Sequence, residues 1–314
     1  MTRARGTTWA LMVAGMLAVG PASVVSVERA TAEPEQEPPQ LFFLLDEAYT
    51  QQRHELQVTP AVVYLRRHGT ESEIDEDGEE EVKQVKAATL RAPLELEWGI
   101  TDRLELDVEA SWVYERRETT PFRTAKRDAQ HLQAFEDLAT GLRWLLVPES
   151  ARWPAVSIEY TLEWPTGDPA HELGSQHLGH AVGLAVSRDF GRWVGVLNLE
   201  GGVHHRESRL NENGTRSREF TLRDGSYGVG AVYRITDRWN GFLELSHERE
   251  DEIAANERRS ERSLTILPGL SYAWETRWWG REHQWELGAG VPVGVSRQAD
   301  DWGVLVKLRY ESQF

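Results

Sequence analysis

Hydrophobic and polar residues alternate along most of this chain, from about residue 54 to the end. The clearest run extends from Leu104 to Tyr114, where apolar side chains at even positions are opposed by Glu105, Asp107, Glu109 and Ser111. The terminal run, Val304 to Phe314, repeats the pattern with Lys307 and Arg309 among its polar positions. Because successive strand residues point to opposite faces, each run predicts a strand with one apolar and one charged face.

Twelve runs of this kind follow one another, and short connectors alternate with long ones. The long connectors are polar and cover residues 67–83, 116–131, 165–176, 206–219 and 249–262. Most of the 13 Trp residues lie near the ends of the predicted strands, where interfacial aromatic belts occur in membrane proteins. The pattern predicts an all-β protein, a transmembrane antiparallel up-and-down β-barrel of about 12 strands. A soluble β-sandwich is the alternative, but it would not usually have a charged second face on every strand.

The chain divides into three predicted parts. Residues 1–32 have a basic start, an apolar stretch and a small-residue site at Ala30–Ala32, which predict a cleaved export signal peptide. The apolar stretch is shorter than the roughly 20 residues that a membrane-spanning helix needs. Residues 33–53 form a predicted periplasmic linker rich in Pro, Glu and Gln, in which 41–45 either plugs or caps the barrel mouth or begins a local helix. Residues 54–314 form the predicted barrel.

Composition narrows the possible partners and location. The formal net charge of −16 argues against a nucleic-acid partner, because phosphate binding needs clustered Lys and Arg. With no Cys in the chain, neither a disulfide nor a thiolate metal site can form. The export signal and the barrel pattern together predict the outer membrane of a Gram-negative bacterium as the location, with its lipid and lipopolysaccharide as surroundings. The terminal strand ending at Phe314 is the predicted contact with the barrel assembly machinery.

The polar faces of the strands predict the lining of the lumen. Twelve acidic residues against five basic ones favour a water-filled, porin-like path that disfavours anions. The alternative is a closed interior in which these groups pair as salt bridges. The predicted lumen-facing residues are Arg91, Glu95, Glu97, Glu105, Asp107, Glu109, Asp137, Arg143, Glu159, Glu163, Glu200, Arg234, Glu244, Glu286, Lys307, Arg309 and Glu311.

Small residues interrupt the same faces. Gly228 and Gly230 lie in one strand, Gly288 and Gly290 in another, and residues 179–185 alternate Gly and Ala with larger residues. Such strips leave room for a solute or for another segment of chain. The alternative is that these glycines provide the bends needed to close a barrel.

No cofactor, metal site or catalytic residue is predicted. The acidic stretch 71–81 imitates the start of a calcium loop, but Gln84 stands where the bidentate Glu would be needed. It is therefore interpreted as a solvated loop that collects divalent ions loosely. His204 and His205 are adjacent in a predicted strand and point to opposite faces, so they cannot form one catalytic dyad. We predict that the protein is not an enzyme.

Several stretches carry a family resemblance. They are L-L-D-E-A-Y-T-Q at 44–51, W-G-I-T-D-R-L-E-L at 98–106, F-E-D-L-A-T-G-L-R-W at 135–144 and W-P-T-G-D at 164–168. Through them the chain resembles the transporter-like outer-membrane barrels associated with the meta-pathway of phenol degradation. The resemblance implies passage of small solutes, with small aromatic compounds among the candidates. The alternative is a closed structural or surface-interaction barrel without transport activity.

Overall fold

The chain forms one closed antiparallel sheet. The computed structural model describes residues 42–74, 80–121, 128–167, 174, 177–207, 219–254, 257–278 and 281–314. Its strands are β1 (Glu55–Ile74), β2 (Glu80–Thr101), β3 (Leu104–Pro121), β4 (Asp128–Phe135), β5 (Leu138–Val147), β6 (Ala155–Trp164), β7 (Gly179–Asp189), β8 (Trp193–Glu207), β9 (Glu219–Arg234), β10 (Trp239–Ala254), β11 (Glu257–Trp278), β12 (Arg281–Gly290), β13 (Val293–Gly294) and β14 (Trp302–Gln313).

Pairing between the first and last strands closes the barrel. Tyr64 of β1 stands opposite Val304 of β14, and each main strand also pairs with its neighbour in the chain. Twelve strands make the wall, while β4 pairs only with β3 and the two-residue β13 bridges β11 and β14. The predicted barrel of about 12 strands is confirmed. Within the described residues, no helix is long and apolar enough to cross a membrane.

The alternating apolar and polar residues lie on the outer and inner surfaces of the barrel wall, respectively. Leu243 is 55% exposed on the outer surface, whereas the next residue, Glu244, is fully buried inside. An exposed apolar outer face of this kind is the surface that lipid would cover. Aromatic rings cluster where β8 and β10 begin and β11 ends, as in the packing of Trp193 on Tyr233 and of Trp239 on Tyr272.

Several predicted long loops are instead extensions of the strands. Strand β1 continues to Ile74, β2 begins at Glu80, and β10 and β11 remain paired as far as Ala254 and Glu257. Continuing the ladder satisfies the backbone N–H and C=O groups of these polar segments within the chain. The predicted export signal and the acidic side chains of residues 71–81 lie outside what the structure describes.

Residues 42–53, here called the N-terminal segment, run along the inner surface of the wall. Phe42 and Leu45 are buried in a cluster with inward-facing wall residues, and Ala48 is fully buried. The segment contains neither helix nor strand, so a local helix does not form over residues 42–45. The segment therefore fills part of the interior.

Candidate functional site in the barrel lumen

The N-terminal segment is anchored first by Glu244 of β10. The Glu244 carboxylate accepts hydrogen bonds from the backbone N–H of Phe43 at 2.9 Å and of Leu44 at 2.7 Å. The Lys307 ammonium of β14 donates to the Phe42 carbonyl at 3.2 Å. Both wall residues belong to the polar face that sequence patterning assigned to the lumen, and here they hold the chain's own backbone.

Further along, wall side chains continue to satisfy the backbone of the segment. Asn198 makes a reciprocal pair with Asp46, accepting from its N–H and donating to its carbonyl, each at 2.9 Å. The Ser187 hydroxyl accepts from the Ala48 N–H at 2.8 Å, and the Glu105 carboxylate accepts from the Gln51 N–H. Because side chains replace the usual strand partner, the segment is held as a bound peptide would be.

Tyr49 adds a side-chain contact between the N-terminal segment and the connector that follows β5. Its hydroxyl donates to the Glu149 carboxylate, which also accepts from the Asp189 N–H at 3.1 Å. Burial, and then this hydrogen bond, raise the pKa of the Tyr49 phenol above its usual range. Tyr49 therefore remains a neutral donor throughout the physiological pH range.

One side of the lumen is apolar, which the charged pattern did not predict. We call it the apolar patch, formed by Val194, Val196, Val232, Phe242, Leu267 and Leu305. Phe42 and Leu45 pack against it, and the Phe43 ring stacks on Phe242 with centroids 4.7 Å apart. Burial of apolar side chains against the patch stabilises the docked segment in addition to its hydrogen bonds.

Gly228 and Gly230 provide the space for this packing. A Cβ added at Gly230 would lie 2.8 Å from both Phe42 Cε1 and Leu45 Cδ1, and one added at Gly228 would clash with Leu45. Small residues in the strands were expected either to leave space for a solute or a chain segment, or to provide bends that close the barrel. At Gly228 and Gly230, the structure shows space that the N-terminal segment occupies.

A valine at Gly230 should therefore displace the N-terminal segment. Overpacking of this kind costs about 1–3 kcal/mol, which shifts a docking equilibrium by roughly 5- to 150-fold. The chain has no Cys, so a single Ala48→Cys reporter can be labelled with maleimide. We expect faster labelling in Gly230→Val. Gly195→Val is the control, because among the described residues a Cβ there would meet only the Phe190 ring, at 3.8 Å. Equal labelling rates in the two variants would contradict the prediction.

The opposite side of the lumen is charged and centred on Arg143 of β5. Its side chain is 6% exposed and lies 2.9 Å from Glu159, 3.1 Å from Glu105, 3.5 Å from Glu97 and 3.8 Å from Asp46. A small polar cavity remains beside it, between Arg143 and Glu159 on one side and Asn198 and Glu200 on the other. Arg143, itself on β5, therefore connects β2, β3 and β6 to the N-terminal segment.

A second charged group lies on β12 and β14. Arg309 contacts Glu286 at 2.9 Å and Glu311 at 3.2 Å, and Glu286 also accepts from Asn240 and Ser271. Because the group is closely hydrogen-bonded, it fixes this part of the wall.

The remaining predicted lining residues are more scattered. Lys307 lies 3.6 Å from Glu95, Arg234 lies 2.8 Å from Asp189, and Arg91 lies 2.8 Å from Glu136. By exposure, the buried members of the predicted set are Glu97, Glu105, Asp107, Arg143, Glu244, Glu286 and Arg309; the half-buried ones are Glu95, Asp137, Glu159, Glu163, Arg234, Lys307 and Glu311; and the exposed ones are Arg91, Glu109 and Glu200.

His204, whose neighbour His205 has a side chain outside what the structure describes, and two other strand histidines occupy different surroundings. His204 lies between Glu163 and Asp224, each 2.9 Å from a ring nitrogen, whereas His247 stacks on Tyr227 and His180 is hydrogen-bonded to Tyr160. Asp224 did not figure in the sequence prediction.

The residues that sequence reasoning missed are the apolar patch and the polar anchors Asn198 and Ser187. A signal for the patch exists, because Ile266-Leu267 and Leu305-Val306 place apolar residues at adjacent strand positions. Adjacent apolar positions mean that both faces of a strand are apolar. No comparable signal marks Asn198 or Ser187.

Comparison with known proteins finds solved structures that share this fold. No family model and no curated protein sequence matches the chain. Among solved structures, the chain is similar to the COG4313 outer membrane channel from Pseudomonas putida F1, with 13% identity, 87% of this chain and 100% of that chain covered, and a TM-score of 0.57. It is also similar to the transport unit of the autotransporter AIDA-I from Escherichia coli, with 9% identity, 86% and 94% coverage, and a TM-score of 0.50. The fold is what they share.

Proposed function

We propose that this protein is an outer-membrane channel for small solutes and that its N-terminal segment closes the lumen. The observation that carries the proposal is the docked segment itself. The wall leaves enough room for Phe42, Leu45 and Ala48 to be buried inside it, so wall side chains alone do not fill the barrel. A lumen that accommodates a peptide also accommodates a small solute once the peptide leaves.

Two further features support a membrane channel. The outer face carries exposed apolar residues such as Val62, Leu243 and Leu270, while charged residues such as Glu105 and Arg143 are enclosed. This inverted arrangement suits lipid outside and a polar path inside. The Pseudomonas protein of similar fold is described as an outer membrane channel, which agrees with the proposal.

The apolar patch supports small aromatic compounds as part of the solute range. It already receives the rings of Phe42 and Phe43, and Phe242 provides a stacking partner. Sites for small ligands combine such apolar contacts with a few polar groups. Glu244 and Lys307 provide those groups beside the patch.

A closed structural barrel is the second candidate. The ion pairs around Arg143 and Arg309 and the docked segment favour it, because they occupy much of the described lumen. The two functions differ in whether the segment can leave.

Conductance of a segment-replaced chain distinguishes the two functions. Residues 42–51 are exchanged for a Gly/Ser sequence of equal length, and both proteins are inserted into planar bilayers after a heat-modifiability check of the barrel. We expect rare, small openings from the natural chain and sustained ion conductance from the replaced chain. Absence of conductance in a folded replaced chain would overturn the channel and favour the closed barrel.

A further inference from the structure

Three carboxylates converge on the charged side of the lumen. Glu97 of β2 stands directly opposite Asp107 of β3, and Glu105 lies two residues before Asp107 on the same face. Each residue offers an oxygen within 4.8 Å of an oxygen of the other two. We call these three residues the carboxylate cluster.

The cluster is buried and not satisfied by the protein. Asp107 is 8% exposed, and among the described residues no N–H or hydroxyl group donates a hydrogen bond to either of its carboxylate oxygens. Glu97 is 7% exposed, and its Oε2 likewise receives no hydrogen bond from the part of the chain that the structure describes. Buried carboxylate oxygens without partners are costly, so a further group is expected to meet them.

Arg143 does not balance the cluster. It contacts Glu105 and Glu97, but it is shared with Glu159 at 2.9 Å and with Asp46 at 3.8 Å. One guanidinium thus faces four carboxylates. Asp107 lies beside them, and no described cationic side chain forms an ion pair with it within 4.0 Å. The surplus negative charge requires either bound protons or a cation.

We propose that the carboxylate cluster binds a calcium ion. Its three ligands are carboxylates only, the chemistry of a hard cation, with no imidazole or thiolate in the cluster to favour zinc or copper. Calcium accepts irregular oxygen geometry, whereas magnesium demands near-ideal octahedral geometry, so the fixed positions of two strands suit calcium. Gly141 lets two carboxylates approach the wall closely, because a Cβ there would lie 2.6 Å from Glu159 Oε1 and 3.2 Å from Asp107 Oδ2.

The site bears on the N-terminal segment as well as on the wall. Glu105 also accepts the Gln51 N–H, so a cation on Glu105 adds its field at the point where the segment meets β3. The inference does not depend on transport, since a structural barrel with this cluster would bind the ion equally.

Calcium titration of the full chain in detergent tests the proposal. We expect calcium to raise the thermal unfolding midpoint of the natural protein after EDTA treatment, and calorimetry to show one site that magnesium fills more weakly. In Asp107→Asn and Glu97→Gln, each lacking one ligand charge, calcium affinity should fall about tenfold or more. Glu109→Gln is the matched control, because Glu109 is an exposed residue on the same face of β3 outside the cluster and its variant should bind as the natural protein does.

The proton alternative gives a different result. If protons alone neutralise the cluster, calcium leaves the unfolding midpoint of the natural protein unchanged, and Asp107→Asn is more stable than the natural protein with or without calcium. That outcome would overturn the calcium site. Calcium binding that is identical in all variants would also overturn it, because the ion would then sit elsewhere, for example on the acidic residues 71–81. Heat-modifiability of every variant shows that the barrel has folded.

Discussion

Replacing Glu244 by alanine should open the lumen, raising the fraction of open channels by about two to four orders of magnitude. Glu244 is fully buried and accepts two backbone N–H groups of the N-terminal segment, from Phe43 and Leu44. Hydrogen bonds to charged groups contribute about 1.5–3 kcal/mol each, so both together contribute roughly 3–6 kcal/mol to docking. Each 1.4 kcal/mol is a factor of ten in the equilibrium constant. Water that enters the space vacated by the Glu244 side chain replaces part of the lost hydrogen bonding.

Open probability in planar bilayers measures the effect. Glu248→Ala is the matched control, since Glu248 lies on the same face of β10, is exposed, and accepts a hydrogen bond from the Ser263 hydroxyl and not from the segment. Glu244→Gln keeps an acceptor oxygen and should fall between the natural protein and the alanine variant. If Glu244→Ala conducts no more than Glu248→Ala while maleimide labels Ala48→Cys faster, the segment has left and the lumen is closed by other groups.

Replacing Arg143 by methionine should destabilise the barrel by about 3–5 kcal/mol, the typical cost of breaking a buried ion pair from one side. Methionine keeps much of the side-chain volume, so the loss reflects charge and not a cavity. Without the guanidinium, the buried Glu105 and the half-buried Glu159 lose their cationic partner. The substitution also removes the cation nearest Asp46, and the segment should be released more readily.

Urea unfolding in detergent, followed by Trp fluorescence, measures the free energy difference. Arg91→Met is the control, because the Arg91 side chain is 46% exposed and forms one ion pair, with Glu136. An exposed pair of this kind contributes about 0–1 kcal/mol. Equal destabilisation by the two substitutions would show that Arg143 does not organise the charged side of the lumen.

The fold was readable from the sequence because a barrel repeats one rule. Period-two alternation determines which side chains point outward from the wall, and Leu243 beside Glu244 follows that rule as Leu106 beside Glu105 does. If a strand shifted by one residue relative to its neighbour, its apolar side chains would move to the other face of the sheet. The alternating pattern therefore also determines the register in which neighbouring strands pair. The prediction was wrong for several long connectors, which are extensions of the strands. Polar side chains are compatible with a paired strand in water as well as with a loop, so the pattern could not distinguish the two.

The candidate site was only partly readable, for a reason that Asp107 and Phe42 illustrate. Alternation places Asp107 and Glu105 on one face of β3, but the closeness of both to Glu97 depends on how β2 and β3 pair. A linear search for a calcium motif considers residues near in sequence and therefore passes over such a cluster. Phe42 lies 200 positions before Phe242, and no local pattern connects them.

The sequence by itself determined the strands, their faces and the charged character of much of the lumen, because these depend on neighbours one or two residues apart. Only the tertiary structure decided what fills that lumen. Whether Glu244 faces water, an arginine or a peptide depends on contacts across the barrel, and here it holds the backbone of residues 43 and 44. Such contacts arise from closure of the wall around a segment that no alternating pattern assigns to a strand.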